Sequence, residues 1–573
     1  IIEENFYDVE KGLWLGVAWD LDDTDTPPFL LYLPFKNLHN HLEVFGTSGY
    51  GKSRLMAVIL RQFIHFDWSL FAIDPKGGDG QEIPHWIYDF AAEAGLQHLV
   101  TRIMPTYPSL SDKGNPIFSM SDVEIASLCS SLVVSGSGSQ SSDEQFFSGQ
   151  VYRITYAILA ATSYLESAIS PDGREINAKV IEEVKKYLEF RDNKSFGKGY
   201  EDKIIEYPDI AQISTNNKKD METKYSLSPF TRTLITFREL AYYSMFDNLK
   251  YLHKIVEDTP IPILKHNKER ANEITAMKEV AIRAISELTS MDKNFYEKTG
   301  TSLSVLLSQL AYGPVGSVLC DVKINPLVKR ARDNQGMIVI FQPAPMRFEK
   351  VSEILIKVYV KMWLSLFGTV GVSGRGIKKR VVMAIDEAKP MMFPGVEEIY
   401  NKARQLGMTI MALFQSKSDM KYKLGETLTD ITQDNTATSI TMKQVSLTSR
   451  IECAGSFGTT KRASNIQMTE MDGGGRSTVV YEESEVVSAK DIDNLQIAEG
   501  YVQHYGRQYY VKFPYQRDPM PVNAVMPKLE SETAYEFISQ VEAILLSEKK
   551  NILDINGQIA EKKLESETDE NKK

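Results

Sequence analysis

The chain has 573 residues, 43% of them hydrophobic and 25% charged, with a formal net charge of −11. That length exceeds one ordinary domain, and the balance is that of a soluble globular protein with enough apolar material for a sizeable core. The acidic total argues against a protein that coats nucleic acid over its whole surface, but not against a narrow basic channel inside an oligomer.

In chain order, residues 1–40 hold short apolar runs such as Phe29–Leu33, which read as a few strands leading into the core. Leu42–Phe45 is a short apolar run ending in a Gly-rich turn. Arg54–Phe66 then places Leu55, Val58, Ile59, Phe63 and Ile64 at helical spacing. Ser69–Ile73 reads as a strand ending at Asp74-Pro75-Lys76-Gly77, followed by a helix near Ile83–Ala94 and a strand near His98–Met104. This alternation predicts the parallel sheet of an α/β protein. From about Ser121 to Leu310 helical spacing takes over, with long candidates at Gln145–Leu165, Ala178–Phe190 and Ala271–Met291, and an all-helical insertion is expected. Ser135–Asp143 reads as a mobile Ser/Gly loop.

The sheet pattern resumes with strands at Met337–Phe341, Arg380–Ile385, Met408–Phe414 and Ala437–Met442, and helices at Val351–Leu366 and Val396–Leu406. Gly500–His504 and Gln508–Phe513 flank Gly506 and read as a hairpin. From Lys528 the chain turns helical and then charged, and Glu561–Lys573 is expected to be disordered. The expected division is 1–105 for the first half of a nucleotide-binding domain, 106–315 for the insertion, 316–527 for the second half and 528–573 for the tail.

Cys129, Cys320 and Cys453 are far apart and show no CxxC spacing, so neither a disulfide framework nor a zinc site is indicated. The most apolar stretch, Ile354–Val372, is interrupted by Lys357 and Lys361 and reads as a buried helix rather than a membrane span. Because the chain opens on Ile1 rather than Met, a fragment or processed form is expected, with any N-terminal anchor outside it.

Gly46-Thr47-Ser48-Gly49-Tyr50-Gly51-Lys52-Ser53 matches G-x-x-x-x-G-K-[ST] in full, between an apolar strand and an amphipathic helix. Glycines let backbone N–H groups curl inward onto phosphate oxygens, and the helix start adds its positive dipole end. Lys52 is placed to reach the β- and γ-phosphates of ATP, and Ser53 to offer a hydroxyl to Mg²⁺. Val381–Ile385 is an apolar run that ends in Asp386-Glu387. Asp386 suits Mg²⁺, and Glu387 suits a general base that polarises the attacking water. The pair follows Lys52 by more than 330 residues, so one sheet must be split by a large insertion.

With these motifs in place, the chain resembles the type IV secretion coupling proteins, the TraD/TraG-like ATPases of bacterial conjugation, related to FtsK- and HerA-type translocases. The residues that carry the likeness are the P-loop after Leu42–Phe45, the Asp74–Gly77 strand end and the run from Asp386-Glu387 through Lys402–Gly407 to Leu413–Ser416. The late Ile497–Pro519 segment adds to them. The resemblance implies a RecA-like P-loop NTPase sheet with a large all-helical insertion domain, working as a homo-oligomeric ring, a hexamer. Its implied partners are relaxase-bound single-stranded DNA and the components of a secretion channel, at the cytoplasmic face of the bacterial inner membrane. By motif position, Arg404 matches the family's arginine finger, and Gln415 a sensor of the γ-phosphate. A solvated helix residue and a strand cap are the alternatives at these two positions. The family usually carries an N-terminal anchor, which is expected to fall outside residues 1–573, and Ala388-Lys389-Pro390 follows the acidic pair where many members have an apolar, Gly-containing turn. Two other functions stay open: an ATPase that powers pilus and channel assembly, and a nucleotide-gated adaptor for protein substrates.

Overall fold

A computed structural model describes residues 10–75, 82–133, 142–169, 235–261, 268–322, 325–332, 335–343, 345–372, 379–393, 396–469 and 475–519. The expected helix at Ala178–Phe190, most of the Ser135–Asp143 loop and the tail beyond Pro519 lie outside the described residues.

The strands are β1 (Leu13–Asp20), β2 (Phe29–Leu33), β3 (Leu42–Phe45), β4 (Ser69–Ile73), β5 (Val100–Ile103), β6 (Ile338–Phe341), β7 (Val381–Ile385), β8 (Met408–Phe414), β9 (Thr438–Thr441), β10 (Thr459–Thr469), β11 (Gly475–Glu485), β12 (Glu499–His504) and β13 (Arg507–Lys512). Eleven of them form one sheet in the order β2-β1-β13-β12-β9-β3-β8-β7-β4-β6-β5, and β10 and β11 form a separate hairpin. From β9 to β5 every pairing is parallel. The parallel strands β3, β4, β6, β7 and β8 are buried at every position, as strands covered on both faces must be.

The sequence reading expected a parallel sheet. The structure adds an antiparallel wing, in which β12 pairs with β9 and β13, and β1 with β13 and β2. Along β12 and β13 inward residues such as Val502, Tyr509 and Val511 alternate with more open ones, the pattern of a sheet covered on one face.

Two cores follow from the alternation of side chains along a strand. Leu70 and Ala72 of β4 face a layer built by helices α1 (Lys52–His65) and α2 (Glu82–Glu93), with Leu55, Phe63, Trp86 and Phe90. Phe71 and Ile73 face the other way, into a core shared with the insertion.

The described residues between β5 and β6 contain helices and no β-strand: α3 (Asp122–Val133), α4 (Ser142–Ile169), α5 (Phe237–Tyr243), α6 (Phe246–Asp258), α7 (Lys268–Thr289), α8 (Lys293–Ala311), α9 (Gly313–Leu319) and α10 (Pro326–Arg332). Their starts carry side-chain caps where the sequence offers them. Asp292 accepts from Phe295 N at 3.1 Å, and Thr236 and Glu239 form a capping box. Helix α11 (Pro345–Val372) returns the chain to the sheet and buries Tyr359, Met362 and Trp363 against it. Among the described residues no single helix is long and apolar enough to cross a membrane. Helix α12 (Val396–Gln405) joins β7 to β8, and α13 (Lys417–Asp434), α14 (Leu447–Gly455) and α15 (Ala489–Asn494) complete the order. The three cysteines are free and buried, where a thiol packs as a small apolar residue.

Candidate nucleotide site

The Gly-rich turn leaves β3 at the carboxyl edge of the parallel strands. Gly46 N donates to Phe414 O at 3.1 Å, which ties the turn to the end of β8, and Thr47 N donates to Lys443 O at 2.9 Å just past β9. The Thr47 hydroxyl accepts from Val445 N at 3.2 Å. Gly49 and Gly51 have φ of 88° and 97°, a left-handed conformation that costs a Cβ-bearing residue about 1 kcal/mol or more and glycine almost nothing. This curl starts α1 at Lys52, whose Nζ donates to Gly46 O across the loop. Orphan N–H groups of the first helical turn and a primary ammonium therefore share one concavity, as an anion site requires.

Asp386 and Glu387 follow β7 at the same edge. Asp386 is 3% exposed, and its N–H donates to Ile73 O at 3.0 Å, so the backbone fixes its place beside β4. The Ser53 hydroxyl donates to Asp386 Oδ1 at 3.2 Å across 333 residues of sequence. The hydroxyl and the carboxylate that suit Mg²⁺ thus already meet, and both are hard oxygen donors of the kind that ion takes. Glu387 has φ of 74°, and the following Ala388 N donates to Leu413 O at 2.7 Å. A left-handed non-glycine residue held by its neighbours is backbone strain of the kind that clusters at functional sites. Strand β8 lies between β3 and β7, so Gln415, exposed just beyond it, sits between the phosphate loop and the acidic pair.

Sequence reasoning missed a buried polar chain along the same edge. Arg102 Nε donates to Gln342 Oε1 at 2.9 Å, and Gln342 Nε2 donates to Asp74 Oδ2 at 3.0 Å. All three residues are buried, and their side chains run from β5 through the end of β6 to the end of β4, beside β7. The signal was a Gln directly after the apolar run Ile338–Phe341, at the position where β4 offers Asp74 and β7 offers Asp386.

Arg404 is not brought to this edge. It lies exposed near the end of α12, and Gly407 N donates to its carbonyl at 3.0 Å immediately before β8 begins. The seven residues of β8 separate that end from Gln415, about 20 Å of strand. Helix α12 is fastened to the root of the P-loop strand instead. Ile410 N donates to His41 Nδ1 at 3.1 Å, which leaves Nε2 to carry the proton and donate to Tyr400 O at 2.8 Å. Burial holds the His41 pKa down at about 4, opposed by the Tyr400 bond and aided by the Arg404 and His39 charges. Two residues on, Glu43 is pushed up to about 7 by burial, opposed by the Thr436 hydroxyl bond and the Lys417 charge.

Strand order, phosphate loop and acidic pair define a RecA-like P-loop NTPase sheet, interrupted between β5 and β6 by a helical insertion. Residues 380–496 match the family model described as the TraM recognition site of TraD and TraG. Solved structures with the same fold include the bacterial conjugative coupling protein TrwB in an unbound form. It shares 14% identity, with a TM-score of 0.53, over 86% of this chain and 89% of that one. TrwB in complex with ADP and Mg²⁺ is 15% identical, with a TM-score of 0.52, over 86% and 90% of the two chains. TrwB with a non-hydrolysable ATP analogue is 15% identical, with the same TM-score, over 87% and 90%. At these identities the likeness to TrwB is one of fold. No curated protein sequence matches the chain. The resemblance to the TraD/TraG-like coupling proteins is borne out by the family match over residues 380–496.

Proposed function

We propose that the chain is the ATP-hydrolysing motor of a conjugative type IV secretion coupling protein, which recruits relaxase-bound DNA and drives it toward the secretion channel. The observation that carries this reading is the meeting of Ser53 with Asp386 across the split sheet, in a chain whose residues 380–496 match the TraD/TraG family. Lys52 neutralises the β- and γ-phosphates of ATP, and the N–H groups of residues 46–53 hold their oxygens. Mg²⁺, which TrwB binds together with ADP, would be held by Ser53 and Asp386 and would neutralise charge on the phosphates. Glu387 takes a proton from the attacking water as general base, and Gln415 reads the γ-phosphate.

Arg404 acts on the nucleotide of a neighbouring copy, since it stands at the far edge from its own phosphate loop. That role asks for a ring, a hexamer in this family, at the cytoplasmic face of the inner membrane. The domain division is 1–105 and 316–527 for the two halves of the motor, with 106–315 as the helical insertion. The TraM recognition description of residues 380–496 favours a protein partner at the relaxase–DNA complex on that half.

The test is ATPase activity of the chain with and without single-stranded and double-stranded DNA, beside Lys52→Ala. Turnover stimulated by DNA and abolished in Lys52→Ala is expected. Turnover indifferent to both DNA forms favours the assembly ATPase, and hydrolysis that survives in a folded Lys52→Ala protein removes the motor reading altogether.

A further inference from the structure

Two large apolar side chains stand in solvent at the rim of the phosphate loop: Ile497 is 62% exposed and Tyr515 64% exposed. Backbone pairing brings them to the same place. Phe513 N donates to Ala498 O at 2.8 Å, so the residues just before Ala498 and just after Phe513 leave the β12–β13 hairpin side by side. Ala498 has φ of 63°, which turns the chain toward the loop. A Cβ built on Gly51 would lie 3.7 Å from Ala498 N and 3.8 Å from Ile497 Cγ2. Ile497 therefore packs over the last glycine before Lys52.

Tyr515 is held from the other direction by Arg54, the residue after Ser53. The guanidinium lies over the tyrosine ring, 4.9 Å from its centroid, and its NH1 donates to Gln516 O at 2.6 Å while NH2 pairs with Asp518. Trp86 Nε1 adds a bond of 2.8 Å to Arg517 O. Residues 515–518 are thus tied to the first turn of α1 and to α2, yet the ring they present stays mostly in water. A ring with its chain fixed and its face open is prepared to stack on something.

We propose that Ile497 and Tyr515 form the subsite for the purine base of the nucleotide whose phosphates occupy the 46–53 loop, an inference that rests on the ATPase reading above. A nucleotide anchored at Gly49–Ser53 points its reacting end toward Asp386 and Glu387, so its base must leave on the other side, past the start of α1. That is where these two side chains stand. Arg54 covers one face of Tyr515 and leaves the other for the base, and the branched Ile497 supplies apolar contact beside it. Stacking reads π-surface rather than hydrogen-bond pattern, so the site favours purines over pyrimidines and separates adenine from guanine only weakly.

Calorimetric titration of the whole chain with ADP, GDP, UDP and inorganic tripolyphosphate, each with Mg²⁺, tests this. Tyr515→Ala and Ile497→Ser each weaken ADP and GDP by about 5- to 10-fold, the lower part of the range for one lost base stack. Tyr515→Phe, which keeps the ring, restores ADP affinity, and UDP binds the unaltered chain more weakly than either purine. Tripolyphosphate, which has no base, binds all these variants alike. Unchanged ADP affinity in both Tyr515→Ala and Ile497→Ser overturns the subsite, as does a parallel loss of ADP and tripolyphosphate. Tripolyphosphate binding that survives Lys52→Ala overturns the phosphate-loop reading instead, so the two failures are told apart.

Discussion

Replacing Glu43 by Gln should make the protein markedly more acid-sensitive, although the carboxyl group lies beneath the site and touches no substrate. Two buried groups near the P-loop strand titrate in opposite senses. His41 is depressed from 6.5 to about 4, so its contribution to stability is complete above 6.5 and is lost as pH falls toward 4. Glu43 is raised from 4.5 to about 7, so its contribution is complete below 4.5 and is lost as pH rises through 7. Both side chains are almost wholly buried, which leaves little solvent screening. Between about pH 7.5 and about pH 5, linkage gives a loss of about 2 kcal/mol from His41 and a gain of about 2.5 kcal/mol from Glu43. The two nearly cancel. Glu43→Gln keeps the shape of the protonated acid and removes its titration, so that variant should lose about 2 kcal/mol over the same interval. His41→Gln should gain a similar amount on acidification. Urea titrations followed by tryptophan fluorescence at the two pH values measure both changes. If Glu43→Gln and the unaltered chain show the same pH dependence, the opposed-titration argument is wrong.

Glu387→Gln should bind ATP with ordinary affinity and turn it over about a hundredfold or more slowly, since the amide keeps the shape and loses the base. Equal loss of ATP affinity in Glu387→Gln and Lys52→Ala, by titration with a non-hydrolysable analogue, refutes the general-base role. Arg404→Ala should bind ATP but hydrolyse it down to about a thousandth of the normal rate, and mixing it with Lys52→Ala should restore part of the activity. The restored sites are those where a Lys52→Ala subunit offers its Arg404 to an intact phosphate loop. No recovery in oligomers verified as mixed refutes Arg404 as a finger supplied in trans.

How much could be read in advance depended on how local each signal is. The phosphate loop is local: two left-handed glycines and Lys52-Ser53 fall within one turn, and their spacing is legible in any context. Strand β7 was legible because five apolar residues end abruptly in two acids. The β10–β11 hairpin was not, because Thr459–Thr469 carries Thr, Lys, Arg, Ser, Asn and Gln with no alternation that marks a buried face. Helix α13 escaped for a related reason: Lys417–Asp434 is largely polar and is broken by Gly425 at φ of 77°. The strands of the antiparallel wing and its β12–β13 hairpin were legible, but the pairing that joins β1 to β13, Val17 opposite Lys512, spans hundreds of residues, and no local pattern encodes it. The Arg102–Gln342–Asp74 chain is hidden in the same way, since each member looks like an ordinary polar residue until β5, β6 and β4 are placed side by side.

The same non-local logic decides what Arg404 can do. Its helix leads directly into β8, and β8 runs away from it to the phosphate edge, so no rotation of the arginine side chain spans the length of the strand to its own Lys52. Besides the burial of Val396, Ile399, Tyr400 and Ala403 in the core, His41 at the root of β3 ties the helix through Tyr400 O, and it accepts from Ile410 N of β8. Arg404 follows Tyr400 by four residues, one helical turn, so its position is inherited from the strand that also carries the phosphate loop. A proton on Nδ1 would remove the acceptor that Ile410 N uses and would place a cation beside the Arg404 and His39 charges. The depressed pKa of His41 keeps that proton off throughout the neutral range, and the geometry between the phosphate loop and α12 depends on its staying off.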